Sequence, residues 1–152
     1  MKVSIDKVLG TFLSILMAVM TLIVLWGVLT RYAFSNQASW TGELARFLLI
    51  WIGLLGAAYA SGQRKHLAID LLSDKLNDNN RIMQFRLIAF LVILFAICIL
   101  ITGGVRLLYI TLILEQSSPA LNIPMSFVYS VLPLSGLLIV YYQIEKLSNT
   151  RA

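Results

Sequence analysis

The sequence predicts an all-α membrane protein with four transmembrane helices, and three observations support this fold class. Of the 152 residues, 59% are hydrophobic and only 12% are charged. The mean hydropathy is +0.86, which is more apolar surface than one soluble core of this length can bury. Four long stretches contain no charged residue, and basic residues flank them. We therefore expect a single membrane domain over residues 1–152.

The first two spans follow from the charge-free stretches nearest the N-terminus. The first is predicted at about residues 8–30, after Lys2 and Lys7. This stretch is longer than the apolar part of a secretory signal peptide and lacks a small-residue cleavage pattern, so we expect it to be retained. The second span is predicted at about 44–63, with Ser39 or Thr41 as the candidate helix cap.

The last two spans are predicted at about 87–106 and 125–144. The 19 charge-free residues of the third reach roughly 29 Å, close to the thickness of the hydrocarbon layer. Pro119 and Pro124 exclude an earlier start for the fourth helix, and Pro124 suits its first turn. Pro133 is expected to kink this helix unless a neighbour satisfies the freed carbonyl.

The distribution of basic residues predicts the orientation in the membrane. Lysine and arginine are concentrated on one side, which the positive-inside rule places in the cytoplasm. That side holds nine of them, and the other holds three: Lys2, Lys7, Arg64, Lys65, Lys75, Arg81, Arg86, Lys146 and Arg151 against Arg31, Arg46 and Arg106. Both termini are therefore expected in the cytoplasm. Apolar residues at helical spacing after the second span allow a short interfacial helix there.

A glutamate and an arginine, Glu43 and Arg46, stand at the mouth of the second span, close to Trp40. Residues three apart on a helix are neighbours, so the two charges can pair directly. Charges near a bilayer are costly, and a polar anchor for another helix or partner protein would explain them. An interfacial pair without function is the plain alternative, and a proton or ion relay carries the least weight.

Small residues follow one another at four-residue spacing within the second span, at Gly53, Ala57 and Ser61. Such residues let membrane helices approach closely, because apolar burial gives no driving force between helices inside lipid. The sequence leaves two uses open, packing inside this subunit or packing against a partner chain.

A polar group closes the second span and is expected to mark the cytoplasmic boundary: Arg64, Lys65, His66 and Asp70. His66 is the one histidine, whereas bis-histidine haem ligation needs two and zinc needs several nitrogen or sulfur ligands. We therefore expect no metal, no cofactor and no catalytic or substrate-binding residue in this chain. The basic residues flank apolar runs and form no solvated patch, so nucleic acid is not expected as a partner.

Two blocks of residues resemble the small membrane subunit, of the DctQ type, of tripartite ATP-independent periplasmic (TRAP) transporters. The resemblance covers most of the chain. It rests on the order in which these residues follow one another along the chain, and not on any single residue or motif. The first block comprises Arg31, Tyr32, Phe34, Trp40, Glu43, Arg46, Trp51, Gly56, Ala57, His66 and Asp70, and the second comprises residues 121–125, Tyr129 and residues 132–134.

This resemblance implies a non-enzymatic, multi-pass subunit of the bacterial inner membrane, surrounded by lipid. The family implies two protein partners, a large multi-span permease that carries the substrate and sodium sites and a periplasmic substrate-binding protein. An ion gradient would drive uptake of an organic acid. The hypothesised assembly residues are Arg31, Trp40, Glu43, Arg46, Gly53, Ala57 and Arg106. A membrane anchor for a redox enzyme and a small oligomeric channel or exporter remain as alternatives.

Overall fold

The computed structural model describes residues 2–33, 38–63 and 78–149, which are helical apart from short connections. Helix α1 covers Lys2–Ala33 and helix α2 covers Ser39–Gly62. Both are long and apolar enough to cross a membrane, as are two further helical stretches, Arg86–Ile113 and Met125–Ser148. The predicted all-α fold with four spans is confirmed, and each of these helical stretches extends beyond at least one of its predicted limits.

The start of α2 differs from the predicted capping. The residue before the helix is Ala38, in an extended conformation with φ −62° and ψ 115°, and its side chain makes no capping hydrogen bond. Ser39 and Thr41 both lie inside the helix, and the Thr41 hydroxyl donates back to the Ala38 carbonyl at 2.7 Å. The capping prediction was wrong, because a cap must precede the first turn and accept from its N–H groups.

The third span is longer than predicted and contains a widened turn. Helix α3 covers Asp78–Phe95, a π-helical segment covers Ala96–Ile101, and helix α4 covers Thr102–Ile113. The Thr102 N–H bonds to the carbonyl of Ile97, five residues back, as a π-turn requires. The helix continues to Ile113, beyond the predicted end of the span near residue 106, because a single arginine does not interrupt a helix and its long side chain can extend toward the interface.

The fourth span is built from two helices, α5 at Met125–Tyr129 and α6 at Val131–Asn149. Pro133 is the third residue of α6, and it has no N–H to offer the carbonyl of Tyr129 four residues earlier. The helix is interrupted at Ser130, directly after that carbonyl. The expected effect of Pro133 is therefore found as a break one turn before the proline. Pro124 directly precedes α5, with φ −59°.

The helices pack in the lateral order first, second, fourth and third span. Helix α2 contacts α1 and α6, and α6 in turn contacts the three helical segments of the third span. Side chains from α1, α2 and the fourth span form one apolar cluster: Leu9, Leu13, Leu55, Val131 and Tyr142. This order leaves much helix surface open. In the most apolar 18-residue stretch of α1, only 6% is buried inside the subunit.

Glycines lie where the helices approach most closely. A Cβ atom added to Gly62 would lie 2.7 Å from the ring of Tyr142, and one added to Gly136 would lie 2.8 Å from Cγ1 of Ile101. At Gly104 an added Cβ would lie 2.8 Å from Cβ of Leu132. Lipid is as apolar as the side chains of these helices, so burying apolar surface does not drive the helices together. Close van der Waals contact between them stabilises the packing instead.

Two side-chain hydrogen bonds join the helices near the ends that carry Asp6 and Gly62, which we call the Asp6 end. The Tyr142 hydroxyl donates to Oδ1 of Asp6 at 2.6 Å, and Gln143 Nε2 donates to Oγ of Ser61 at 2.9 Å. These bonds connect α6 to α1 and to α2. Polar groups that satisfy one another in this way hold helices together where water is scarce.

The neighbouring glycines Gly103 and Gly104 provide a matched test of this packing. Gly104→Ala should lower the free energy of unfolding by about 1–3 kcal/mol, because its methyl group meets Leu132 and Pro133. At Gly103 no atom lies within 4 Å of an added Cβ, so Gly103→Ala should be neutral or stabilising by up to about 1 kcal/mol. Unfolding of both variants in mild detergent measures the difference, and equal effects would contradict the packing.

Candidate functional site

The connection between α4 and α5, residues 114–124, is a closed loop with its own hydrogen bonds. The Ser118 N–H donates to the Ile123 carbonyl at 3.0 Å, and the Met125 N–H donates to the Gln116 carbonyl at 2.8 Å. Glu115 and Asn122 take positive φ values of 46° and 52°, which reverse the chain direction. The loop therefore has a defined shape at the bundle end opposite Asp6, which we call the Glu43 end.

Glu43, in the second turn of α2, binds this loop through its carboxylate. The Ser118 hydroxyl donates to Oε2 of Glu43, and Ser118 is 1% exposed. The backbone N–H of Ala120 lies 3.2 Å from Oε1 and 3.1 Å from Oε2, and that of Leu121 lies 3.3 Å from Oε2. One carboxylate thus receives three donors from a loop far away in the sequence.

These contacts give Glu43 a structural role that local sequence does not reveal. Hydrogen bonds to an ionised acceptor are stronger than those between neutral groups. Successive backbone N–H groups that converge on one anion form a concave binding surface, as in other anion-binding loops. The Glu43 carboxylate therefore connects α2 to the end of the third span and the start of the fourth. We call this arrangement the Glu43 brace.

The direct pair between Glu43 and Arg46 that the spacing allows is not formed in the described part of the chain. Glu43 directs its oxygens to Ser118, Ala120 and Leu121. Arg46 is exposed and forms no ion pair with Glu43, although the two charges are close enough to interact electrostatically. The acid and the base therefore face different surroundings in spite of their short spacing.

Two small surface depressions flank α2 at the Glu43 end. One, of about 550 Å³, is lined by Ser39, Trp40, Glu43, Pro119 and Ala120, so it lies over the Glu43 brace. Trp40 is 38% exposed there.

The other depression, of about 110 Å³, lies between α1 and α2 and is lined in part by Arg31, Thr41 and Gly42. Arg31 is in the last turn of α1 and is exposed. Trp40, Glu43 and Arg31 thus lie at the same end of the subunit, around the first turns of α2.

The remaining predicted assembly residues lie apart from this group. Arg106 is exposed on α4, seven residues before the helix ends at Ile113, and therefore lies within the third span and not at its end. Gly53 and Ala57 are exposed on α2, whereas Ser61 is 8% exposed and accepts the bond from Gln143. The small residues of α2 are therefore divided between an inner and an outer face.

Sequence reasoning missed the loop donors Ser118, Ala120 and Leu121. Their only local signal is the loop composition around Pro119 and Pro124, which marks a turn but not its partner. The predicted boundary residues Arg64, Lys65, His66 and Asp70, together with the interfacial helix, fall at 64–77, outside the described residues.

Four apolar spans with open faces, and polar groups that connect the helices, define a multi-pass α-helical membrane protein. Comparison with known protein families then supplies the particular family. The profile described as "Tripartite ATP-independent periplasmic transporters, DctQ component" matches residues 20–152, and the chain belongs to this family. It is therefore a small permease component of a transporter and not an enzyme.

Individual relatives agree with the family. The chain is 28% identical over 147 residues to a protein of Haemophilus influenzae provisionally named a TRAP transporter small permease, covering 96% of this chain and 89% of that protein. It is 29% identical over 137 residues to the small permease of the sialic acid TRAP transporter of Vibrio cholerae, covering 88% and 76%. It is 32% identical over 113 residues to an isethionate TRAP transporter permease of Oleidesulfovibrio alaskensis, covering 70% and 17%.

Glu43 on α2 and Glu115 in the loop form a matched pair of acids with which to test the Glu43 brace. Glu43→Gln should lower the unfolding temperature of the subunit in mild detergent by a few degrees, because the amide replaces one charged acceptor oxygen with a donor group. Glu115→Gln removes an exposed charge from the same loop and should leave the unfolding temperature unchanged. Tryptophan fluorescence during heating measures both, and an unaltered Glu43→Gln protein would count against the brace.

Proposed function

We propose that this chain is the small inner-membrane subunit of a TRAP transporter, where it scaffolds a large permease and helps to dock a substrate-binding protein. The observation that carries the proposal is the combination of family membership with a largely open set of helices. In this account the chain supplies surfaces, and the large permease supplies the transport path. The substrate is an organic acid, and the coupling ion, expected to be sodium, binds in the large permease.

The relatives support a partner of this kind. The match to the isethionate permease covers 17% of that protein, so the region like this chain is a small part of a much longer permease there. We infer that this chain performs, as a separate subunit, the role which that region performs within the longer protein. Family membership favours this function over the redox anchor and the autonomous channel that the sequence left open.

Among the described residues, the basic side chains of Lys7, Arg86 and Lys146 belong to the span ends near Asp6, which supports the proposed orientation. Under the positive-inside rule the Glu43 end faces the periplasm, where a soluble binding protein can reach it. The depression over the Glu43 brace presents Trp40 beside a loop of defined shape. Tryptophan and arginine are the residue types that most often dominate protein interfaces, and Arg31 lies at the same end. We propose that these two residues contact the binding protein.

Reconstitution with the large permease tests the scaffold role. The two chains should co-purify in lipid-retaining detergent, and uptake into vesicles should require both chains, the binding protein and an ion gradient. Recovery of this chain alone under several such conditions would contradict the proposal, as would full uptake without it.

The docking role has its own test within that reconstituted system. Trp40→Ala should weaken uptake at limiting binding protein by about ten-fold while leaving the two membrane chains together, because interface tryptophans are frequent hot spots. Tyr109→Ala serves as the control, since Tyr109 is an aromatic residue that is 64% exposed on another helix. Equal uptake by the Trp40→Ala and wild-type complexes would remove Trp40 from the docking surface.

A further inference from the structure

The exposed residues of α2 form one stripe along the helix. Beyond the first turn, the exposed positions of this helix, all of which the structure describes, are Arg46, Leu49, Gly53, Ala57 and Ala60. Their spacing of three, four, four and three residues places them on a single face. The opposite face packs inside the subunit and buries Leu55, Ala58, Ser61 and Gly62.

Arg46 gives this face a positive charge near the Glu43 end of the helix. It lies seven residues after Ser39, which is about 10 Å along the helix axis. Its guanidinium forms no ion pair with Glu43, whose oxygens bind the loop, although the two charges are close enough to interact electrostatically. An arginine inside an apolar span is costly unless an anion or a polar group compensates it.

Two kinds of group can compensate Arg46, a carboxylate on a neighbouring protein helix or the phosphate of a lipid. The residues below Arg46 on the same face favour a protein helix. An added Cβ would have no atom within 4 Å at Gly53, and none at Gly56 beside this face, so the described residues of this subunit leave that space unused. Lipid chains do not require small residues, whereas a closely packed helix does.

We infer that the exposed face of α2 receives a membrane helix of the large permease, and that Arg46 pairs with an aspartate or glutamate on that helix. The inference rests on the proposed function and adds to it the face and the chemistry of contact. Close approach at Gly53 and Ala57 brings the partner helix near enough for its carboxylate to reach Arg46. Leu49, which is 58% exposed, then packs between the charged contact and the small residues.

Charge reversal in the complete complex tests this pairing. Arg46→Glu should reduce recovery of the large permease with this chain by about ten-fold or more, because it places like charges together inside the membrane. Arg46→Lys retains the charge and should retain most of the complex. Arg86→Glu makes the same change of charge at an exposed residue at the edge of the third span and should leave the complex intact.

Rescue identifies the partner group. Each acidic residue in the spans of the large permease is replaced by lysine in turn and combined with Arg46→Glu. One of these replacements should restore the complex. The isolated Arg46→Glu subunit should still fold, with an unfolding temperature no more than a few degrees below that of the wild type, because the new charge lies three residues from Glu43. Recovery of the folded subunit separates loss of binding from loss of folding.

The possible outcomes distinguish the inference from the proposed function. An intact Arg46→Glu complex, or an equal loss with Arg86→Glu, overturns the pairing while the proposed function stands. If no acidic position rescues and a photocrosslinker at Leu49 labels only phospholipid, the compensating group is a lipid and the inference fails. Failure of the wild-type chain to bind the large permease at all would instead defeat the proposed function.

Discussion

The Glu43 carboxylate is the interaction on which the arrangement of the Glu43 end depends. The second span packs on the first and fourth, while the third lies on the far side of the fourth. The loop after the third span therefore needs a contact that reaches across to α2. Donors from Ser118, Ala120 and Leu121 supply it, and one ionised side chain satisfies all three. The same bonds occupy the Glu43 oxygens, so that Arg46 and Glu43 interact through their charges without forming an ion pair.

Elsewhere the helices are held by close backbone approach and by isolated hydrogen bonds, since burial of apolar surface gives little advantage in lipid. Gly62, Gly104 and Gly136 mark the close approaches within the subunit. The outer face of α2 carries further small residues that this chain does not use. We propose that the exposed face of α2, one of several open helix surfaces among the described residues, is the face that receives another chain.

Sequence alone predicted the number and kind of helices because long charge-free stretches are a local property of the chain. It placed the effect of Pro133 close to the break at Ser130 for the same reason. It placed the end of the third span near Arg106, because the stretch without charged residues ends there. The helix itself continues to Ile113. The brace between Glu43 and Ser118 could not be predicted, because it joins positions far apart in the sequence. The residues around Glu43 do not indicate which groups donate to its carboxylate.

The central claim is that Glu43 holds the amides of the loop, and hydrogen–deuterium exchange at Ala120 and Leu121 tests it most directly. In the wild-type protein both amides should exchange slowly, and Glu43→Ala should restore rapid exchange at Ala120. The Leu121 amide should lose only part of its protection, because it also lies 3.4 Å from the Ser118 hydroxyl oxygen. The Met125 amide, which bonds to the Gln116 carbonyl at 2.8 Å, should keep its protection in both proteins. Rapid exchange of Ala120 in the wild type, or Ala120 protection that survives Glu43→Ala, would contradict the account.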